Sequence, residues 1–235
     1  MNAQLSLERC LAFINCQLQP AARRLVPSGA DAQRHAVTIS RQAGCGALLV
    51  AQELAQYLQA RAPKETPVWA VFDRNLVERV LEDHDLPKRL AAFMPEDRIS
   101  EIADTVDELF GLHPPSWLLL RQTAETVLHL AELGNVILIG RGANVITRKL
   151  DYVFHIRLVG SLQKRLERIQ VLNQQDRKAA LELIRREDRG RKRYLRKYFR
   201  KDIDDPLLYH LVINTDFVSY QEAARLIGDA VVKRS

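Results

Sequence analysis

Apolar positions along the chain follow two different periods. Short, nearly continuous apolar runs at residues 37–40, 68–72, 136–139, 153–158 and 211–213 predict strands buried on both faces. Most of the sequence between them carries the 3.6-residue spacing of helices that cover a sheet. Strands alternating with helices predict an α/β fold in three layers, a parallel five-stranded sheet with helices on both sides. Ahead of this pattern, an amphipathic stretch at residues 5–18 ends at Pro20, and Pro27-Ser-Gly-Ala-Asp31 reads as a turn. Residues 1–35 are therefore expected to be an accessory helix and linker, and residues 36–235 a single domain.

Two segments break the alternation. Residues 74–134 contain no convincing strand and are expected to be a helical insertion. Its helical stretches lie near residues 75–82, 97–110 and 117–133, punctuated by Pro87, Pro95 and Pro114-Pro115. Residues 177–200 form a long charged pattern with few core positions, which predicts a projecting hairpin or lid over about 174–204. No internal repeat is present.

Composition narrows the function classes. A chain of 235 residues suffices for one α/β domain with a full core. Its apolar runs fall well short of the roughly 20 residues that cross a bilayer, so a cytoplasmic protein without membrane partners is expected. Cys10, Cys16 and Cys45 are odd in number and lack metal or disulfide spacing, and the histidines lack ligand spacing. The net charge of +6 is concentrated: residues 185–201 hold ten Lys/Arg and two acids, a local +8 that leaves the remainder near −2.

The chemistry gathers at strand ends, where open parallel sheets bind ligands. After the first run, Val37-Thr-Ile-Ser-Arg-Gln-Ala-Gly-Cys-Gly46 reads as strand, glycine turn and helix start, an arrangement that offers backbone N–H groups to a phosphate. Aligned with the G-x-x-x-x-G-K-[ST] loop, Ala47 stands at the lysine and Leu48 at the metal-binding hydroxyl. Asp73-Arg74 follows the second run, Gly140-Arg141-Gly142 the third and Asn214-Thr215-Asp216 the last. Arg41, Arg74 and Arg141 are expected at one sheet edge, a repulsive grouping that a bound anion relieves. In the basic segment, Arg185, Asp188 and Arg191 fall about one helical turn apart, while Arg189, Arg193 and Lys197 follow at i,i+4. Such a helix can fold over phosphates or simply be solvated. Cys45, at the turn, reads either as a small filler or as a thiol acidified by the helix start.

These blocks, in this order, resemble the cytidylate kinase-like family of nucleoside monophosphate kinases within the P-loop fold. The opening block is similar to I-S-R-x-x-G-S-G-G, and Val71-Phe-Asp-Arg-Asn-Leu-Val77 to Y-D-R-E-L/I. Val136-Ile-Leu-Ile-Gly-Arg-Gly-Ala143 is similar to I-I-V-G-R-G-A, Asp188-Arg-Gly-Arg-Lys-Arg-Tyr194 to D-x-x-R-x-x-Y, and Asp205-Pro-Leu-Leu-Tyr-His-Leu-Val-Ile-Asn-Thr215 to D-P-x-x-Y-D-L-x-I-N-T. The resemblance implies phosphoryl transfer from ATP, with Mg²⁺, to a nucleoside monophosphate such as CMP or dCMP, the partners being nucleotide small molecules. It places Arg41, Gln42, Ala43, Gly44, Cys45, Gly46 and Ala47 around the donor phosphates. It places Asp73, Arg74 and Arg141 around the acceptor, with Arg141, Arg185, Arg189 and Arg191 closing on the transferring group. Three readings stay open: a phosphotransferase, a non-catalytic relative that binds nucleotide or another anion or serves as an interaction module, and, ranked last, nucleic-acid binding through the basic helix.

Overall fold

In the computed structural model, residues 35–63, 66–73, 96–110 and 118–234 are described. The expected accessory helix at the N-terminus, the stretch near 75–82 and Arg74 lie outside them. Five strands form one all-parallel sheet: β1 (Ala36–Arg41), β2 (Ala70–Phe72), β3 (Val136–Ile139), β4 (Val153–Val159) and β5 (Leu211–Asn214), in the order β2-β3-β1-β4-β5. Each expected strand is present within two residues of its bounds.

Alternation along β3 shows why the sheet is covered twice. Val136 and Leu138 face α2 (Glu96–Phe110) and α3 (Leu118–Leu133), packing with Val106, Phe110 and Val127. Ile137 and Ile139 face α1 (Ala47–Gln59) and α7 (Tyr220–Val232), packing with Leu54, Leu58, Ile227 and Val231. Successive strand side chains point to opposite faces, so a continuous apolar run fits only between two layers. β4 departs from this rule on one face. Phe154, Ile156 and Leu158 join the α1/α7 core, whereas His155 and Arg157, both buried, point the other way.

A short helix, α4 (Ala143–Ile146), follows β3. After β4, α5 (Leu162–Asn173) and α6 (Arg177–Phe199) form a helical pair, α6 covering most of the charged segment. Asp176 caps α6, its carboxylate accepting the Ala179 N–H. The helix has more core contact than its charge suggests. Ala180 and Ile184 pack with Ala43 and with Leu166 and Ile169 of α5, and Leu195 packs with Val145, Ile203 and Leu208. The sparse apolar residues of α6 thus seat one side of the helix across the carboxyl ends of β1 and β3, leaving most of its cations outside.

Candidate functional site

The site starts from the turn after β1. Gly46 is the N-cap of α1, with φ 71° and no side-chain cap, and the first turn of the helix carries no acidic residue. The positive helix end is therefore left to an outside anion. Only glycine fits at Gly46: a Cβ there would overlap the Tyr220 ring. Gly140 has a left-handed φ of 87°, which favours glycine, and the Arg41 guanidinium lies across the backbone there at the end of β3. Arg41 and Arg141 thereby meet at adjacent strand ends. Arg141 has a φ of 55°, in the left-handed region that ordinary residues adopt only at a cost of about 1 kcal/mol or more.

A cavity of about 360 Å³ opens between these strand ends and α6. Ser40, Arg41, Gly140, Arg141, Gly142 and Asn144 line the sheet side, and Arg186, Glu187, Gly190, Arg191, Tyr194 and Leu195 the helix side, with Ile203 closing it. The described lining carries Arg41, Arg141, Arg186 and Arg191 beside Glu187. Guanidinium groups gathered in a space of small-ligand size suit a phosphorylated ligand. Arg191 is held toward the site by Glu187 at 3.0 Å and Asp188 at 3.2 Å.

Not every residue singled out from the sequence reaches the cavity. Arg41, Arg141 and Arg191 line it. Arg185, Arg186 and Arg189 are all exposed on α6, and of the three Arg186, not Arg185 or Arg189, contributes to the described lining. Asp73 stands at the end of β2, also outside the described lining. Gln42 accepts the Gly160 N–H at 3.0 Å, tying the turn to the end of β4, and Ala43 donates its N–H to Asp188 at 2.7 Å. Gly44, at φ 82°, packs against the Arg165 backbone. Cys45 is buried and burial pushes its thiol up, which favours the filler reading over an activated nucleophile. Ala47 is buried, while Leu48 is 48% exposed, so neither supplies a cation or a metal ligand. Among the described residues no cluster of three or more His, Cys, Asp or Glu could hold a metal ion. No described helix is long and apolar enough to cross a membrane.

Several site residues were not singled out from the sequence. Arg157 on β4 is 4% exposed and donates to Ser40 Oγ at 2.9 Å and to Asp204 at 3.0 Å. Tyr209 completes this network, donating to the Ile203 carbonyl at 2.8 Å. On α5, Arg165 donates to the Ala43 and Gly160 carbonyls, and Arg168 to Thr215 Oγ1 at 2.9 Å and to the Thr215 carbonyl at 2.5 Å. Two arginines one turn apart on the face of α5 beside the turn were a usable signal. Arg157 had a weaker one, a charged residue inside an otherwise apolar strand.

Comparison with known proteins agrees with this geometry. The model of the cytidylate kinase-like family matches residues 36–217. An uncharacterized protein from Eubacterium ventriosum has a similar structure at 19% identity, with a TM-score of 0.65 over 86% of this chain and 99% of that one. A shikimate kinase from Bacteroides thetaiotaomicron aligns at 12% identity with a TM-score of 0.44, over 84% of this chain and 98% of that one. No curated protein matches the chain. With a family match spanning most of the sequence and a five-stranded parallel sheet carrying its glycine turn at the end of β1, the chain belongs to the cytidylate kinase-like family.

Proposed function

We propose that this protein transfers the γ-phosphoryl group of ATP to a nucleoside monophosphate, CMP or dCMP being the first candidates. The observation that carries the reading is the cavity itself: Arg41, Arg141, Arg186 and Arg191 line it from two strand ends and a helix, beside Glu187. Phosphoryl transfer asks the protein mainly to align two anionic groups and offset their charge. In this reading the glycine turn, residues 41–47, holds the donor phosphates through its N–H groups and the α1 N-terminus. Arg141, fixed at the end of β3, meets the acceptor phosphate, with Asp73 and Arg74 following the neighbouring strand. Arg191 and Arg186 cover the transferring group from α6, Arg186 rather than Arg185 or Arg189 being the one at the cavity rim. Leu48, at the usual hydroxyl position, cannot ligate Mg²⁺, so a metal would be carried by the nucleotide phosphates.

The test is an ADP-release assay with ATP and each of CMP, dCMP, UMP, AMP and GMP. Turnover with a cytidine monophosphate is expected, below the roughly 1–100 s⁻¹ usual for kinases because the loop cation is missing. Arg191→Ala should lower it about 10²-fold. No turnover with any of the five monophosphates would overturn the assignment. One observation favours a second reading, a non-catalytic nucleotide binder: Ala47 and Leu48 remove both functional side chains of the loop. Nucleotide binding without turnover would select it.

A further inference from the structure

Asp188 lies on α6 three residues before Arg191, and its carboxylate reaches across to the glycine turn. Oδ1 accepts the Ala43 N–H at 2.7 Å and Nη1 of Arg191 at 3.2 Å, while Oδ2 accepts Nη1 of Arg165 at 2.5 Å. The Arg165 side chain is 9% exposed and also donates to the carbonyls of Gly160 and Ala43. One backbone N–H of a glycine turn plus two guanidinium groups is a donor set suited to a phosphate oxygen. Here a carboxylate of the protein takes it. Charge balance agrees, since Arg165 and Arg191 are matched by Asp188 and Glu187, both supplied by α6.

We infer that Asp188 is a resident substitute for a nucleotide phosphate: in this conformation its carboxylate occupies an anion position made by the Ala43 N–H, Arg165 and Arg191, and a donor phosphate takes that position by displacing it. Arg165 then supplies, from α5, positive charge that Ala47 and Leu48 do not provide from the loop. The exchange is physically economical. A guanidinium as buried as Arg165 is costly when unpaired, and replacing one anion by another keeps it paired throughout. The exchange also ties phosphate binding to the lid, because Asp188 shares its helix with Arg186, Glu187 and Arg191 of the cavity wall. This inference rests on the reading that the glycine turn holds the donor phosphates.

The experiment titrates inorganic pyrophosphate by calorimetry into the full chain, as wild type, Asp188→Asn, Arg165→Met and the double variant. Asp188→Asn should bind roughly ten-fold more tightly, the effect of removing an intramolecular competitor held by charged hydrogen bonds. Arg165→Met should weaken binding in both backgrounds. Hydrogen exchange on the wild type provides a readout independent of any variant's folding: pyrophosphate should speed exchange of amides at residues 185–192 as Asp188 lets go. If wild type binds pyrophosphate but Asp188→Asn binds equally or more weakly, or exchange at 185–192 is unchanged or slowed, the substitute role is wrong and the donor site stands. If neither wild type nor Asp188→Asn binds pyrophosphate at millimolar concentration, the donor site itself is wrong and this inference fails with it.

Discussion

Replacing Gly46 by alanine tests whether the shape of the phosphate turn is set by backbone conformation, by a neighbour or by both. At φ 71°, a residue with a Cβ incurs the left-handed penalty, about 1 kcal/mol. The new Cβ also overlaps the Tyr220 ring, whose ζ carbon, nearer ε carbon and hydroxyl are its three closest neighbours. Relieving an overlap of that kind typically costs about 1–3 kcal/mol. The ring is half-buried against the α1/α7 core, so it cannot swing away without losing packing. Gly46→Ala should therefore destabilise the protein by about 3 kcal/mol. In a Tyr220→Ala background the overlap is gone, and the same substitution should cost only about 1 kcal/mol, leaving a coupling near 2 kcal/mol. Urea denaturation of the four proteins, with common slopes, measures the cycle. Equal costs in the two backgrounds, within about 0.5 kcal/mol, would refute the steric argument.

Leu48→Arg introduces a cation on the exposed first turn of α1 and should raise turnover, up to the roughly 10²-fold associated with one preorganised charge; unchanged kcat in an intact protein would show that α5 and α6 already supply what is needed. Around Arg157, Asp204→Asn should destabilise more than Arg157→Met, because the cation is 5% exposed, whereas the carboxylate is 52% exposed and keeps its Lys192 partner at 2.9 Å; urea midpoints in the reverse order would contradict this. His155 has its pKa lowered to about 3, chiefly by burial and then by the charge of His210, so it stays neutral in the fold while the unfolded chain protonates it near 6.5. Its effect is absent above about pH 6.5 and costs stability progressively as pH falls from there toward 3, with a slope of up to about 1.4 kcal/mol per pH unit. His155→Gln should flatten the pH dependence of the urea midpoint between pH 6.5 and 4, and an unchanged slope would refute the assignment.

How much was legible in the sequence depended on whether the information is local. The five strands and the helices from 97–110, 117–133 and 177–200 could be read because apolar periodicity encodes which face of an element is buried, and a doubly covered parallel strand shows as a continuous run. The glycine turn and the block order could be read because a tight turn needs its glycines at fixed spacing in one contiguous segment. Arg41, Arg141 and Arg191, singled out at strand ends and on the charged helix, line one cavity.

Which arginine of α6 faces inward was decided only by the tertiary structure. Arg185, Arg186 and Arg189 are chemically alike, and the rotation of the helix is fixed by Ala180, Ile184 and Leu195, whose partners lie on other elements. That rotation sets Arg186, itself exposed, and Arg191 in the cavity lining and leaves Arg185 and Arg189 outside it. Arg157 became interpretable only once Ser40 and Asp204, 117 and 47 residues away in sequence, were set beside it. The contact between Asp188 and Ala43 spans 145 residues. A carboxylate on a charged helix looks like an i,i+3 partner for Arg191. Only folding α6 across the end of β1 brings it to a backbone N–H and a buried guanidinium.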